Sequence, residues 1–153
     1  AVEIESGASY EAGFGYNFGN DLRTEITWGQ SRGDFEKVAG TAVTAGDVVA
    51  STISANVFKD FSSESKFTPY IGAGIGTTDI DTGNITISGT TYTGTNETST
   101  SYSLTFGSKY QMSDQTDVFL EGRLASIGDF TVNNVKYTDI STFGAHLGVN
   151  FKF

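Results

Sequence analysis

The sequence predicts an all-β fold in which antiparallel strands form an up-and-down barrel. Apolar and polar residues alternate with a period of two along seven segments, as they do in strands with one apolar face. The segments are about 9–12 residues long, whereas soluble strands are usually about 5–6 residues long. Short turns and long polar loops alternate between them. These three observations together predict a single barrel domain over residues 1–153.

The seven predicted strands follow one another along the whole chain. They cover residues 10–18, 22 to about 32, 50–61, 67 to about 78, 101–112, 116–127 and 142–153. Short connections lie at 19–21, 62–66 and 113–115, and long ones at 33–49, 79–100 and 128–141. Barrels of the bacterial outer membrane have short periplasmic turns and long external loops, so the C-terminus is predicted to be periplasmic.

One face of each strand is apolar and is predicted to contact lipid. Its members in chain order are Phe14, Ile26, Trp28, Ile53, Val57, Ile71, Ile75, Leu104, Phe106, Leu120, Leu147, Val149, Phe151 and Phe153. Aromatic residues such as Phe18, Phe67 and Tyr110 recur at the short-turn ends. There they would form the girdle that such barrels place at the membrane interface.

The opposite face carries charged residues and many glycines. Its candidate members are Glu11, Arg23, Glu25, Lys109, Glu121, Arg123 and His146. A Lys or Arg facing lipid at mid-depth costs about 2–4 kcal/mol, so these residues are predicted to point inward. Because an eight-strand barrel is just wide enough to be filled by side chains, we expect an interior network of charge pairs.

The number of strands leaves two alternatives open. Single-chain bacterial barrels have an even number of strands with both termini periplasmic. Counting back from a periplasmic C-terminus through seven strands places residue 1 at the external end. We therefore expect an eighth strand before Ala1, with residues 1–6 ending the first external loop. The alternative is a seven-strand barrel closed by a parallel pair of its first and last strands.

The composition excludes several classes of protein. Eighteen acidic and nine basic residues give a net charge of −9, which argues against nucleic acid as a partner. The absence of cysteine rules out disulfides and thiolate metal sites. No apolar run approaches the roughly 18 residues of a transmembrane helix.

Three segments carry a resemblance to a known group of proteins. Residues 13–25 (GFGYNFGNDLRTE) resemble the second hairpin of the OmpA-like, Opa-like and surface-antigen barrels. Residues 55–61 (ANVFKDF) followed by 68–76 (TPYIGAGIG) resemble the central hairpin of that group. The alternation ending in Phe153 is similar to the terminal strand that the outer-membrane assembly machinery reads. The resemblance implies a monomeric eight-strand barrel in the bacterial outer membrane that acts as an anchor, adhesin, surface antigen or narrow pore.

No catalytic or cofactor-binding constellation is apparent, so we expect no enzyme, no metal and no cofactor. His146 is the single histidine and would need converging carboxylates to hold a metal. A Ser-His-acid triad would lack its Gly-x-Ser-x-Gly elbow. The Gly72-x-Gly74-x-Gly76 run is interpreted as inward glycines of a strand, because no helix follows it.

The leading functional hypothesis is a non-enzymatic barrel that supports the membrane or displays its loops. Its expected partners are membrane lipid, the assembly machinery and a surface ligand at loops 33–49, 79–100 and 128–141. These loops are acidic, with Asp34, Glu36, Asp47, Asp79, Asp81, Glu97, Asp129 and Asp139 against Lys37 and Lys136. A narrow pore through the interior charges is an alternative, although a plug of ion pairs is favoured. A soluble lipocalin-like carrier with its faces inverted is the second alternative.

Overall fold

The computed structural model describes residues 2–4, 8–38, 41–42, 47–87, 89–128, 130–132, 135–137 and 140–153. Within these ranges nine strands form one sheet, and two of the nine are short. The long strands are β1 (Ser9–Asn17), β2 (Leu22–Val38), β3 (Asp47–Asp60), β4 (Phe67–Thr82), β5 (Asn96–Gln111), β6 (Thr116–Ile127) and β7 (Ile140–Phe151). The described part of the chain holds no helix that is both long enough and apolar enough to cross a membrane.

The sheet follows the order of the chain from β1 to β7. Each long strand pairs antiparallel with the next, which confirms the predicted all-β, up-and-down architecture. The sheet curls so far that Glu11 of β1 reaches Arg123 of β6. The first and last strands run in the same direction but form no ladder with each other. The parallel closure that the sequence left open is therefore not observed.

Five strands extend further into the predicted loops than the sequence indicated, and β2, β4 and β5 do so by four residues or more. β2 ends at Val38 instead of residue 32, β4 ends at Thr82 instead of residue 78, and β5 begins at Asn96 instead of residue 101. The alternation fades there because Thr77 and Thr78 are both polar although they face opposite sides of the sheet. The backbone ladder nevertheless continues, since it depends on main-chain groups.

Short strands occupy parts of the loop end, opposite the short turns. Ile85–Ile87 pairs with Thr90–Tyr92, and Phe130–Val132 pairs with Val135–Tyr137, each as a separate two-stranded sheet. Val2–Ile4 and Thr41–Ala42 both pair with the far end of β2. The residues that precede β1 thus include a strand at the loop end. Asp129 and Asp139 of the predicted acidic loops lie outside the described residues.

The first short turn places three consecutive residues in the left-handed region. The φ angle is 72° at Gly19, 51° at Asn20 and 61° at Asp21. Asparagine and aspartate enter this region more readily than other residues with a side chain. The Gly19 N–H donates to Asn17 Oδ1 (3.0 Å), and Lys59 Nζ donates to the Asn20 carbonyl (2.9 Å). The second of these contacts joins the β1–β2 turn to the end of β3.

The two faces of the sheet have inverted polarity compared with a soluble protein. Every residue predicted to contact lipid lies on the exposed outer face, from 45% exposed at Trp28 to 76% at Leu147, with the terminal Phe153 fully exposed. Among the described residues, the buried hydrophobic side chains are Phe58, Tyr70 and Ile80, whereas eleven buried side chains are polar or charged. Soluble sheets bury their apolar face instead.

Candidate functional site

Charged side chains from distant strands meet inside the curled sheet, toward its short-turn end. Arg23 of β2 donates from Nε to Asp60 Oδ1 of β3 (3.1 Å) and also pairs with Glu25 on its own strand. Lys109 of β5 donates to the other oxygen of Asp60 (2.5 Å). A single buried carboxylate therefore joins three strands and balances two cations.

A second set of contacts is centred on Arg123 of β6. Its two terminal nitrogens donate to both carboxylate oxygens of Glu11 at 2.6 and 3.0 Å. One of them also donates to Glu121 (2.7 Å), whose other oxygen accepts from the Tyr70 hydroxyl (2.7 Å). Two-pronged pairing of a guanidinium with a carboxylate is the strongest geometry for such groups. The set connects β1, β4 and β6.

Aromatic rings join these two sets of charges. The Arg23 guanidinium carbon lies 4.0 Å from the centre of the Phe58 ring and 4.8 Å from that of Tyr70. The two rings meet edge to face with their centres 5.8 Å apart. A cation over an aromatic face is attracted by the ring quadrupole. The rings and charges form one unit, here called the interior cluster: Glu11, Arg23, Glu25, Phe58, Asp60, Tyr70, Lys109, Glu121 and Arg123.

Inward glycines make room for the large side chains. A Cβ on Gly72 would lie 2.3 Å from a carbon of the Phe58 ring, and one on Gly148 would lie 2.3 Å from the Phe119 ring. Neither ring could keep its place beside a larger residue. The inward glycines predicted from the sequence therefore leave the space that the interior aromatic rings occupy.

A small polar recess of about 20 Å³ remains beside the interior cluster. Its walls are formed by Glu11, Arg23, Glu25, Tyr70, Phe119, Glu121, Arg123 and Asn150. Arg123 Nε is buried there without a hydrogen-bond partner in the described residues. Pockets for small organic ligands usually measure about 300–1,000 Å³, so this recess is small for such a ligand.

The interior toward the loop end is lined by hydroxyl groups instead of charges. Thr27 and Ser54 share a hydrogen bond of 2.8 Å, as do Thr52 and Thr78. The Asn56 amide donates to Thr27 (3.2 Å) and to Ser54 (3.1 Å). These neutral contacts satisfy buried polar groups without any net charge. No separate signal in the sequence marks this layer beyond the inward position of its residues.

Six of the seven predicted interior residues come together in the interior cluster. They are Glu11, Arg23, Glu25, Lys109, Glu121 and Arg123. The seventh, His146, is the register partner of Glu121 on β7 but forms no hydrogen bond or ion pair with the residues that the structure describes. Neither Glu121 nor Glu25 forms a hydrogen bond or ion pair with this histidine in the described part of the chain.

Two buried carboxylates of the interior were missing from the predicted set. Asp60 lies on the inward face of β3, as Ser54 and Asn56 do. Asp117 accepts a hydrogen bond from Lys152 (2.9 Å). Both lie at strand ends, where alternation by itself does not show whether a side chain turns inward. Within the described ranges, no group of three or more His, Cys, Asp or Glu residues is placed to hold a metal ion.

Comparisons with known proteins agree with this architecture. The family model described as "Opacity family porin protein" matches residues 14–153. A relative from Rickettsia canadensis (strain McKiel), named "Putative adhesin", is 30% identical over 90% of this chain and 67% of its own length. The crystal structure of Neisserial surface protein A is similar with a TM-score of 0.69 and 23% identity, covering 99% of this chain and 91% of that one. The structural likeness shows the fold of an outer-membrane barrel.

Proposed function

The chain belongs to the Opacity family of porin proteins in the bacterial outer membrane, and on that premise we propose that it is a non-enzymatic anchor displaying its loops for contact with another surface. Family membership confirms the resemblance inferred from residues 13–25, 55–61 and 68–76, and the predicted location. It also makes the soluble lipocalin-like alternative wrong, because the apolar face is on the outside.

The outer face of the barrel supports the anchoring part of the proposal. Its exposed aliphatic and aromatic side chains would contact the hydrocarbon of the membrane. Aromatic pairs stand near the short-turn end, with ring centres 5.0 Å apart for Tyr16 and Phe18 and 4.9 Å apart for Phe67 and Tyr110. Such rings are favourable at a membrane interface, where one part meets lipid and another meets water.

The observation that carries the proposal is the internal pairing of the interior cluster. Arg23, Lys109 and Arg123 each have carboxylate partners, and aromatic rings fill the space between them. Opposite charges at hydrogen-bonding distance in a low-dielectric interior stabilise each other and resist separation. An interior of this kind favours a solid support over a conducting channel.

The loop end supports the display part of the proposal. Ile75 and Tyr102 are register partners and are the last large apolar residues on the outer faces of β4 and β5. Both strands continue past them with exposed polar residues, including Asp79 and Asp81. At about 3.3 Å per residue, the six residues from 77 to 82 add roughly 20 Å of strand. The sheet would therefore hold its loops well clear of the lipid surface.

Two further partners and an oligomeric state complete the proposal. The exposed carboxylates of Asp47, Asp79 and Asp81 would attract cations or a basic surface. The terminal strand β7, with Phe151 and Phe153 on its outer face, is proposed as the segment that the assembly machinery reads. The barrel is proposed to be monomeric within its own membrane.

Surface attachment of cells that display the protein tests the proposal. A variant in which residues 83–95 are replaced by a short Gly-Ser turn should keep heat-modifiable gel migration but attach less strongly to the target surface. A matched variant with the same turn in place of residues 113–115, at the opposite end, should attach like the wild type. Equal attachment by all three proteins would contradict loop display.

A narrow pore is the second candidate, favoured by the polar recess beside Arg123. Purified protein in planar bilayers distinguishes the two functions. The paired interior cluster should give no channel events in the wild type, because ions would have to displace buried ion pairs. Regular unitary conductance in the wild type would support the pore and contradict the plug.

A further inference from the structure

The hairpin that joins β4 to β5 ends in a small ribbon of its own. Ile85–Ile87 and Thr90–Tyr92 pair in the register Ile85–Tyr92, Thr86–Thr91 and Ile87–Thr90. We call these two strands, residues 85–87 and 90–92, the β4–β5 ribbon. Its two strands pair with each other and with no other strand in the described parts of the chain.

Side chains and backbone groups hold the base of the ribbon in place. Thr82 Oγ1 donates to the Thr95 carbonyl (2.9 Å) and accepts from the Thr95 N–H (3.0 Å). Asn84 Oδ1 accepts from the Gly94 N–H (3.1 Å). A Cβ on Gly94 would lie 1.8 Å from the Thr82 carbonyl oxygen, so only glycine permits this approach. The ribbon is therefore a defined extension of the barrel wall.

The ribbon is uncharged within a strongly acidic protein. No charged residue occurs from residue 82 to residue 96, although the chain has a net charge of −9 and Asp81 and Glu97 flank the segment. The segment also lacks proline and is rich in threonine, isoleucine and glycine. Natural edge strands usually carry charges or proline, which prevent pairing with another chain. This edge has neither protection.

Thr91 presents unpaired backbone groups at one edge of the ribbon. In an antiparallel pair, residues alternate between those whose N–H and C=O face the partner strand and those whose groups face away. Since Ile87 and Thr90 close the turn, the backbone groups of Thr91 face away. They have no partner among the residues that the structure describes, and Thr91 is exposed. The edge along Thr90–Tyr92 can therefore accept another strand.

We propose that this edge pairs with the same edge of a second copy of the protein on a facing membrane. The inference rests on the proposed function and names the partner of one loop. In the symmetric antiparallel arrangement, Thr91 lies opposite Thr91 of the partner copy, and Thr90 lies opposite Tyr92 of that copy. Uncharged residues meet only uncharged residues, so the contact brings no like charges together.

Electrostatics favours a copy on a facing membrane over a neighbour in the same one. Asp81 lies five residues before Thr86, the register partner of Thr91. An extended ribbon thus separates it from the contact by about 17 Å, and the acidic residues of two facing copies by about 34 Å. Charges so far apart are screened, since the Debye length is about 8 Å at physiological salt. Side-by-side copies would instead place their acidic residues next to each other.

The contact formed by one pair of ribbons is small. Three residues of each copy take part, which gives few hydrogen bonds and little buried area. Many copies in two apposed membranes would act together, and linked weak contacts can raise the overall affinity about 10²–10⁴-fold. The pairing is therefore expected to hold surfaces together without producing stable dimers in detergent.

Charge-swap variants on intact cells test the proposal. Two cell populations with different fluorescent labels each display the protein, and mixed aggregates are counted. Thr91→Glu cells and Thr91→Lys cells should each lose at least about tenfold in aggregation with their own kind, because like charges meet directly. A mixture of the two should regain aggregation, which also shows that both variants fold. Thr100→Glu, an acid on the outer wall outside the edge, should aggregate like the wild type.

Cysteine cross-linking gives a second readout, because the natural chain contains no cysteine. Directly opposed residues of an antiparallel pair lie about 4.5–5.5 Å apart at Cα, within disulfide range. Thr91→Cys should form oxidised dimers between the two cell populations, whereas Thr100→Cys should not. Failure of the Glu–Lys mixture to aggregate, or equal cross-linking at both positions, would overturn the proposal.

Attachment to other surfaces separates this inference from the proposed function. Wild-type cells that attach to a target surface but never aggregate with each other would refute self-pairing and leave loop display intact. Wild-type cells that aggregate only with cells lacking the protein would also refute it, in favour of a foreign partner. Wild-type cells that neither attach to a target surface nor aggregate with each other would contradict both proposals.

Discussion

Arg123 of β6 donates two hydrogen bonds to the carboxylate of Glu11 on β1, although 112 residues separate them. β1 forms its backbone ladder only with β2 in the described sheet. The side-chain pair is thus a direct link between the first strand and the far wall. The charge pattern of the inner face therefore helps to hold the sheet in its curled shape.

Glu11→Gln should weaken the barrel through the loss of this link. Arg123 keeps Glu121 but loses the two-pronged partner, so we expect a loss of about 1–3 kcal/mol in the free energy of unfolding. Urea unfolding in lipid vesicles, followed by the fluorescence of the single Trp28, measures it. Asp21→Asn is the matched control, because the exposed Lys59–Asp21 pair (3.8 Å) should contribute under about 1 kcal/mol. Equal losses in both variants would contradict the role given to Glu11.

Asp60→Asn should destabilise the protein more than any other single carboxylate change in the interior. Both Arg23 and Lys109 depend on this carboxylate, and its removal leaves two buried cations short of negative charge. Breaking a buried ion pair from one side costs about 3–5 kcal/mol. The heat-modifiable gel shift after a graded urea series reports the change. Asp47→Asn, on an exposed carboxylate, should stay within about 0.5 kcal/mol of the wild type.

Gly72→Ala should lower the free energy of unfolding, because the added methyl group would collide with the Phe58 ring. The added Cβ would lie 2.3 Å from that ring and push it toward Arg23. Overpacking of this kind costs about 1–3 kcal/mol. Gly144→Ala is the control, since its Cβ would approach nothing closer than His146 Nε2 at 3.3 Å. The double variant Gly72→Ala with Phe58→Leu should recover part of the loss, and an absence of recovery would show that the ring is not the cause.

Asn20→Val should destabilise the first short turn. Asn20 has a φ of 51°, and the left-handed region costs an L-residue roughly 1–2 kcal/mol, more for a β-branched side chain. Its contact with Lys59 uses the backbone carbonyl, which the substitution retains. Asn20→Gly should therefore equal or slightly exceed the wild type in urea unfolding. A valine variant as stable as the glycine variant would contradict the backbone explanation.

The direction of each strand residue was predictable because it depends on local geometry. Side chains of a strand alternate between its faces, so the outward position of Ile71 also determines the inward position of Tyr70. Glycine and charge content then indicated which face is the interior. The same local rule underestimated β2, β4 and β5, because the regular alternation of apolar and polar residues stops before their ends.

The strands, their faces and the inverted polarity follow from the order of the residues, since each of these is set by residues one or two positions apart. The pairing of the charges, in contrast, depends on the folded sheet. Arg123 meets Glu11 and not His146 because the curl and stagger of the sheet bring β1 toward β6, and these depend on every ladder between them. Asp60 joins Arg23 and Lys109 for the same reason, as those residues come from strands separated by dozens of positions in the chain.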